Sequence, residues 1–398
     1  MSRRGWRRAG GALGGLAVLG AVAVYGIETG AFGLDGLGLS ARPYRGPVSD
    51  HFDGRRFHDV PPTPRTSVFD VLRWQTERPA DTWRDQPVAA HPVVPVRVDN
   101  GAQLLVTFVN HATVLLQHRG LNILADPVWS EHAGPLGRFG PKRHTPPGIA
   151  FDDLPPIDVI VLTHNHYDHF DMPTLARLAA RRTQTMVVTG LGNGAPLRRV
   201  GFTNVHEIDW WQSVPLNATV GVTAVPMRHW SERMPWNANA TLWEGFVFTS
   251  PDGPVLVSGD TTGGPHFAEI RKRFGRFRFA ALPIGAYAPR WFMHLSHMAP
   301  DETVESAVTL GAASTLGVHF GTFRLSDEGQ FAPPRDFAEA VRQRGLDPAN
   351  YRALRPGQQW DVPALPGVRA GGAVSGGTAV GIAVGNSAAP SAAPSVVP

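Results

Sequence analysis

The sequence predicts a layered α/β domain with its working residues on loops at strand ends, and three observations carry that prediction. Short β-branched runs recur at residues 157–162, 220–225, 255–257 and 315–318, each followed within a few residues by a histidine or an aspartate. Stretches with helical spacing alternate with these runs. The first run opens directly onto His164, His166, Asp168 and His169, four side chains rich in nitrogen and oxygen within six residues.

Taken in chain order, the elements begin with Arg3, Arg4, Arg7 and Arg8, followed by an uncharged and mostly apolar stretch at 9–27 that ends at Glu28. A spanning helix needs about 20 apolar residues, which this stretch only just reaches. A cleaved signal is the alternative, because Ala21-Val22-Ala23 offers the small residues a signal peptidase prefers. Residues 1–30 are therefore expected to be a signal anchor or signal peptide. The arginines would stay on the cytoplasmic side of the cell membrane and the rest would be exported, anchored or secreted. Residues 31–100 are rich in Pro, Arg, Asp and Trp without clear periodicity, and predict a linker and an arm laid on the main domain with little regular structure.

Residues 101–367 predict a single folded domain. Its apolar runs read as buried strands, each delivering a polar side chain at its C-terminal end. Asp171 suits a helix N-cap with Pro173 in the first turn, and Leu175, Leu178 and Arg181 continue that helix. Pro300, Asp301 and Glu302 open a second helix carrying Val304, Ala307 and Val308. The mixture of cations and aromatics at 271–279 resembles a single-stranded nucleic-acid site, but a helix ending at Gly275 before a strand explains it better, since cations favour that helix end. Residues 368–398 are nearly all Gly, Ala, Ser, Val and Pro, too poor in bulky side chains to offset the entropy of ordering, and predict a disordered tail.

The formal charge of +4 is supplied by the four N-terminal arginines, so the rest of the chain is neutral and a nucleic-acid partner is not expected. There is no cysteine, which excludes disulfides, thiolate metal sites, iron–sulfur clusters and a cysteine nucleophile. Any metal must be held by nitrogen and oxygen. A lone histidine is usually a core residue, whereas four such groups at a strand-bounded turn point to an ion, and imidazole with carboxylate suits zinc.

The run His164-x-His166-x-Asp168-His169 resembles the signature of the metallo-β-lactamase superfamily letter for letter. The resemblance implies an αββα sandwich, with His164, His166 and His229 holding one divalent ion, Asp168, His169 and His319 holding another, and Asp260 bridging them. Further stretches are similar to the N-acylphosphatidylethanolamine-hydrolysing phospholipase D group and its bacterial relatives: His111-Ala112-Thr113-Val114, Ala125-Asp126-Pro127-Val128, Gly140-Pro141-Lys142-Arg143, Leu282-Pro283-Ile284-Gly285-Ala286-Tyr287, Pro289-Arg290-Trp291-Phe292-Met293 and His319-Phe320-Gly321-Thr322-Phe323. They are spread over most of residues 105–325. What this implies is a zinc-dependent phosphodiesterase acting on a phospholipid-type ester through a metal-bridging hydroxide; a lactonase or other small-substrate hydrolase is the alternative.

Asp168 is expected to orient the nucleophile as well as to bind metal. His297, which aligns with a histidine of the phospholipase group, is expected either to contact the substrate and protonate its leaving group or to cap the following helix. His111 is expected to support the ligands from behind. Arg290, Trp291 and Phe292 either grip a phosphate and an acyl chain or pack.

Overall fold

The computed structural model describes residues 39–40, 42–64, 66–87, 94–98 and 101–368. The expected N-terminal anchor, and all but the first residue of the expected tail, lie outside them. Among the described residues no helix is long and apolar enough to cross a membrane. The chain runs α1 (Val68–Glu77), β1 (Leu104–Asn110), β2 (Thr113–His118), β3 (Leu121–Ala125), β4 (Val159–Leu162), α2 (Met172–Arg181), β5 (Met186–Gly190), α3 (Gly194–Arg199), β6 (Asn204–Ile208), β7 (Ser213–Pro215) and β8 (Gly221–Val225). It continues through β9 (Gly245–Thr249), β10 (Val255–Val257), α4 (His266–Phe274), β11 (Phe279–Pro283), α5 (Arg290–Met293), α6 (Pro300–Leu310), β12 (Thr315–Val318), α7 (Ala332–Gln343), β13 (Tyr351–Arg352) and β14 (Gln359–Asp361).

Two seven-stranded sheets result, ordered β14-β1-β2-β3-β4-β5-β6 and β13-β12-β11-β10-β9-β8-β7. Each changes character across its width. In the first, β14 to β3 pair antiparallel and β3 to β6 parallel. In the second, β7 to β10 pair antiparallel and β10 to β13 parallel. Parallel strands need covering on both faces, and the side-chain alternation supplies two apolar faces. Val159 and Val161 of β4 enter the core between the sheets with Phe246, Val257 and Phe279. Ile160 and Leu162 turn the other way, onto Leu175 and Leu178 of α2. In the second sheet Leu256 and Ala280 face outward, onto Phe267 and Ile270 of α4 and Ala307 and Leu310 of α6. The result is a helix–sheet–sheet–helix sandwich, as expected.

Local signals account for the helices. Pro173 sits in the first turn of α2, and the carboxylate of Glu302 accepts the Ala299 N–H (2.7 Å) at the start of α6. The helix expected to end at Gly275 is α4, whose last-turn Arg271, Lys272 and Arg273 face the negative helix end. The arm differs from its expectation of little regular structure. Ser67 Oγ accepts the Asp70 N–H (3.2 Å) and Asp70 accepts the Ser67 N–H (2.9 Å), closing a capping box that starts α1. Upstream, Phe52 and Phe57 are buried against the outer face of the second sheet with Trp210 and Trp243.

Candidate metal centre

The C-terminal ends of β1, β3 and β4 in one sheet meet those of β8, β10 and β12 in the other. Backbone bonds close this edge: His319 N–H donates to the His111 carbonyl (2.7 Å) and Glu244 N–H to the Thr163 carbonyl (2.9 Å). The chain turns sharply where it leaves the strands. His111, Asp126 and His319 all adopt positive φ (46°, 41° and 63°), a conformation that L-residues with side chains tolerate only where their surroundings hold it. Gly259, just before Asp260, has φ 63°, and a Cβ there would stand 2.5 Å from that of Thr163, so only glycine lets β10 deliver its aspartate so close to β4.

These turns bring together all seven side chains expected to ligate. Asp260 Oδ2 is the hub, with the Nε2 atoms of His319 at 3.0 Å, His169 at 3.3 Å, His229 at 3.8 Å and His164 at 4.0 Å. On one side His166 Nδ1 lies 2.9 Å from His164 Nε2 and 3.2 Å from His229 Nε2. On the other, Asp168 Oδ2 lies 3.3 Å from His319 Nε2 and 3.5 Å from His169 Nε2. His164, His166 and His229 thus form one set able to hold an ion. Asp168, His169 and His319 form another, which His111 joins.

Whether the donor set fits a divalent cation can be judged from its unsatisfied atoms. His169 Nε2 and Asp260 Oδ1 are buried without a hydrogen-bond partner. Buried polar atoms are rarely left so. Charge points the same way. Burial lowers His164 and His229 well below the ordinary imidazole value and takes His166 down to about 4, leaving neutral nitrogens ready to donate lone pairs. Burial opposes protonation of His169 and His319 too, but the carboxylates beside them prevail, raising His169 well above the ordinary value and His319 to about 9. Asp168 and Asp260 remain ionised at the cost of burial, held low by these histidines. Two protons therefore sit where cations would balance two buried carboxylates. The donor set fits.

Supporting groups fix the ligands. Asp126 accepts Thr163 N–H (2.8 Å) and Thr163 Oγ1–H (2.7 Å), and its Oδ2 lies 2.8 Å from His169 Nδ1, so one carboxylate holds both the strand end and the ring. Sequence reasoning quoted Asp126 but gave it no role; its place straight after a buried strand, like Asp260 after β10, was the available signal. His229 Nδ1 is 3.1 Å from the Ser296 carbonyl. Arg233, also unanticipated, is buried and donates to the carbonyls of Asn165 (3.0 Å) and Phe170 (2.9 Å), bracing the ligand loop from outside.

His111 stands closer in than expected, with Nε2 2.9 Å from Asp168 Oδ2 and its ring 4.1 Å from that of His319. His297 Nδ1 lies unpartnered 3.9 Å from Asp260 Oδ2, and the residue lines the pocket of about 280 Å³ over the centre with His166, Asp168 and Trp230. Burial lowers its imidazole to about 4 and leaves the ring neutral at neutral pH. Arg290, Trp291 and Phe292 do not line that pocket. Arg290 is bound to Glu302 (2.7 Å) and to the His297 carbonyl (3.1 Å). Phe292 stacks on Trp74 of α1 (4.9 Å between centroids), and Arg73 lies over Trp291 (4.3 Å). Trp291 and Phe292 face the arm.

Comparison with known proteins agrees with this architecture. Residues 121–320 match the Beta-lactamase superfamily domain. The chain is 30% identical over 312 residues to N-acyl-phosphatidylethanolamine-hydrolyzing phospholipase D 1 of Caenorhabditis elegans, covering 75% of this chain and 88% of that one. It is 33% identical over 234 residues to the mitochondrial N-acyl-phosphatidylethanolamine-hydrolyzing phospholipase D of Saccharomyces cerevisiae, covering 57% of this chain and 49% of the yeast protein. Among solved structures, an isothiocyanate hydrolase from Delia radicum gut bacteria superposes with TM-score 0.54 at 19% identity, over 65% of this chain and all (100%) of that one. The chain is a metal-dependent hydrolase belonging to the metallo-β-lactamase superfamily, among the relatives of N-acylphosphatidylethanolamine-hydrolysing phospholipase D.

Proposed function

We propose that the chain is a two-ion, zinc-dependent phosphodiesterase that hydrolyses a phospholipid-type ester. The observation that carries this reading is the hub at Asp260, whose Oδ2 has four histidine Nε2 atoms within 4.0 Å, flanked by two separate ligand sets. The names of the worm and yeast relatives supply the ester class. Two bound divalent ions would supply a water-derived nucleophile near neutral pH and neutralise charge growing on a phosphoryl oxygen.

In this reading His164, His166 and His229 hold one ion, Asp168, His169 and His319 the other, and Asp260 both. Asp126 holds His169 in the tautomer that presents Nε2 to the centre. Asp168, which lines the pocket, is tied to His111. His297 presents an unpartnered Nδ1 at the pocket, where a neutral ring suits a hydrogen bond with the substrate. Arg290, bound to the carbonyl of His297, orients that residue. Residues 1–30 would place the enzyme at the cell membrane, with its domain exported.

Elemental analysis of protein purified without chelator is expected to give two equivalents of zinc. Phospholipid hydrolysed in isotopically labelled water should carry one heavy oxygen in the phosphate of the phosphatidic-acid product. Label found only in a carboxylate would transfer the assignment to a lactone or carboxyl ester. Full activity without metal would end the two-ion reading.

A further inference from the structure

Val225 ends β8, and His229 comes four residues later, a longer gap than that before the first ligand of any other strand. His319 follows β12 directly, His164 lies two residues beyond β4, and Asp260 three beyond β10. Pro226 to His229 belong to no strand or helix, so their main chain depends on neighbours for its partners. On one side is the exit of β10: Arg228 N–H donates to Thr261 Oγ1 (3.0 Å), and the Arg228 carbonyl accepts Thr262 N–H (3.0 Å). On the other side is the arm.

Asp59 of the arm is 4% exposed and accepts the Trp243 indole N–H (3.2 Å), which also donates to the Met227 carbonyl (2.9 Å). Its carboxylate takes hydrogen bonds from the Thr63 hydroxyl and from the main-chain N–H of His229 itself. Thr63 Oγ1 in turn accepts the Arg228 guanidinium (3.0 Å). One short stretch of the arm, 59–63, thus reaches His229 and both residues before it. That stretch has its own anchors. His51 places Nδ1 2.6 Å from Asp50 Oδ1 and Nε2 2.7 Å from Asp209 Oδ1. Phe57 N–H donates to the Asn239 carbonyl (2.8 Å), and Asn239 Nδ2 returns a bond to the Phe57 carbonyl (3.1 Å). None of these bonds involves α1.

We propose that Asp59 is a positioning residue of the metal centre, holding the His229 main chain so that its imidazole meets the ion shared with His164 and His166. The arm then completes that ligand set. The proposal rests on the reading of His229 as a ligand. The ring is fixed through Nδ1 by the Ser296 carbonyl (3.1 Å), and Asp59 fixes the backbone that carries it. His169 and Asp168 have supports of their own in Asp126 and His111, so the ion they share with His319 should not depend on Asp59.

The test titrates zinc into the metal-free full chain at pH 7.5 against a chromophoric chelator, which resolves two dissociation constants. Asp59→Ala is expected to weaken one ion about tenfold or more, the same ion that His229→Ala loses, and to leave the other unchanged. Asp59→Asn, which keeps the shape and one acceptor oxygen, should recover part of the loss. In a His229→Ala background Asp59→Ala should change zinc binding no further, because a residue acting only through His229 has nothing left to act on. Should Asp59→Ala fail to fold, Thr63→Val carries the test, with a smaller loss at the same ion. Unchanged affinity at both ions, equal weakening of both, or a further loss in the double variant overturns the proposal. If His229→Ala keeps both ions, the ligand assignment falls and the proposal with it. If it loses one while Asp59→Ala keeps both at full affinity, the proposal alone falls.

Discussion

The histidines of the centre divide into two charge classes, and the division sets a pH profile. Burial takes His111 to about 3 and His166 and His297 to about 4, and lowers His164 and His229 as well. An unfolded imidazole titrates near about 6.5, so for these groups the unfolded chain binds more protons, and stability is lost as pH falls below that value. His169 and His319 are raised, His319 to about 9, so their stabilisation is complete below about 6.5 and is lost as pH rises through the folded value. The chelated protein is therefore expected to melt at its highest temperature near neutrality and lower on both sides. With zinc bound, the alkaline loss should vanish, because the ions take the place of the two imidazolium protons. A chelated chain that melts at one temperature from acid to alkaline pH would contradict the charge pattern. His164, His166, Asp168 and His169 were legible in the sequence because their spacing after a strand is local, while His229, Asp260 and His319 were assigned through the family resemblance. Asp126 was not assigned, because its role depends on β3 lying beside β4, a pairing no local pattern encodes.

The arm shows the same limit at the scale of an element. Its helix has a readable start at Ser67 and Asp70, yet a stretch without periodicity gives no reason to expect ten helical residues. Tertiary contacts supply the reason: Trp74 stacks on Phe292 and donates its indole N–H to Asp327 (2.8 Å), which also pairs with Arg78 (3.1 Å). The sequence left Trp291 and Phe292 either to grip an acyl chain or to pack. The structure gives them to this helix. Trp74→Ala is accordingly expected to release the arm, raising its cleavage by protease severalfold and costing roughly 1–2 kcal/mol, while the domain keeps its capacity to bind zinc. Simultaneous loss of zinc and arm would mean that α1 also holds the centre.

Across the whole molecule, ligands arrive from both sheets: His164, His166, Asp168 and His169 follow β4 in one, while His229, Asp260 and His319 follow β8, β10 and β12 in the other. The layered class could be read from alternating strands and helices, but the convergence came only with the family resemblance, since it depends on two sheets packing face to face with their strand ends at a common edge. Ions bound there would join layers that are otherwise held by the apolar core and a few backbone bonds such as His319 to His111. A ligand that binds only the folded state stabilises it by about 2.7 kcal/mol when its concentration is 100 times its dissociation constant. Urea titration at pH 7.5 should therefore show a higher midpoint with zinc than with chelator. The denaturant slope should be unchanged if both forms bury the same surface. His164→Ala in one sheet and His319→Ala in the other should each remove a large part of that gain, because either change leaves an ion anchored to one layer. If only one of the two substitutions reduced it, the ions would be bound within a single sheet's loops, and the hub at Asp260 would not be a bridge.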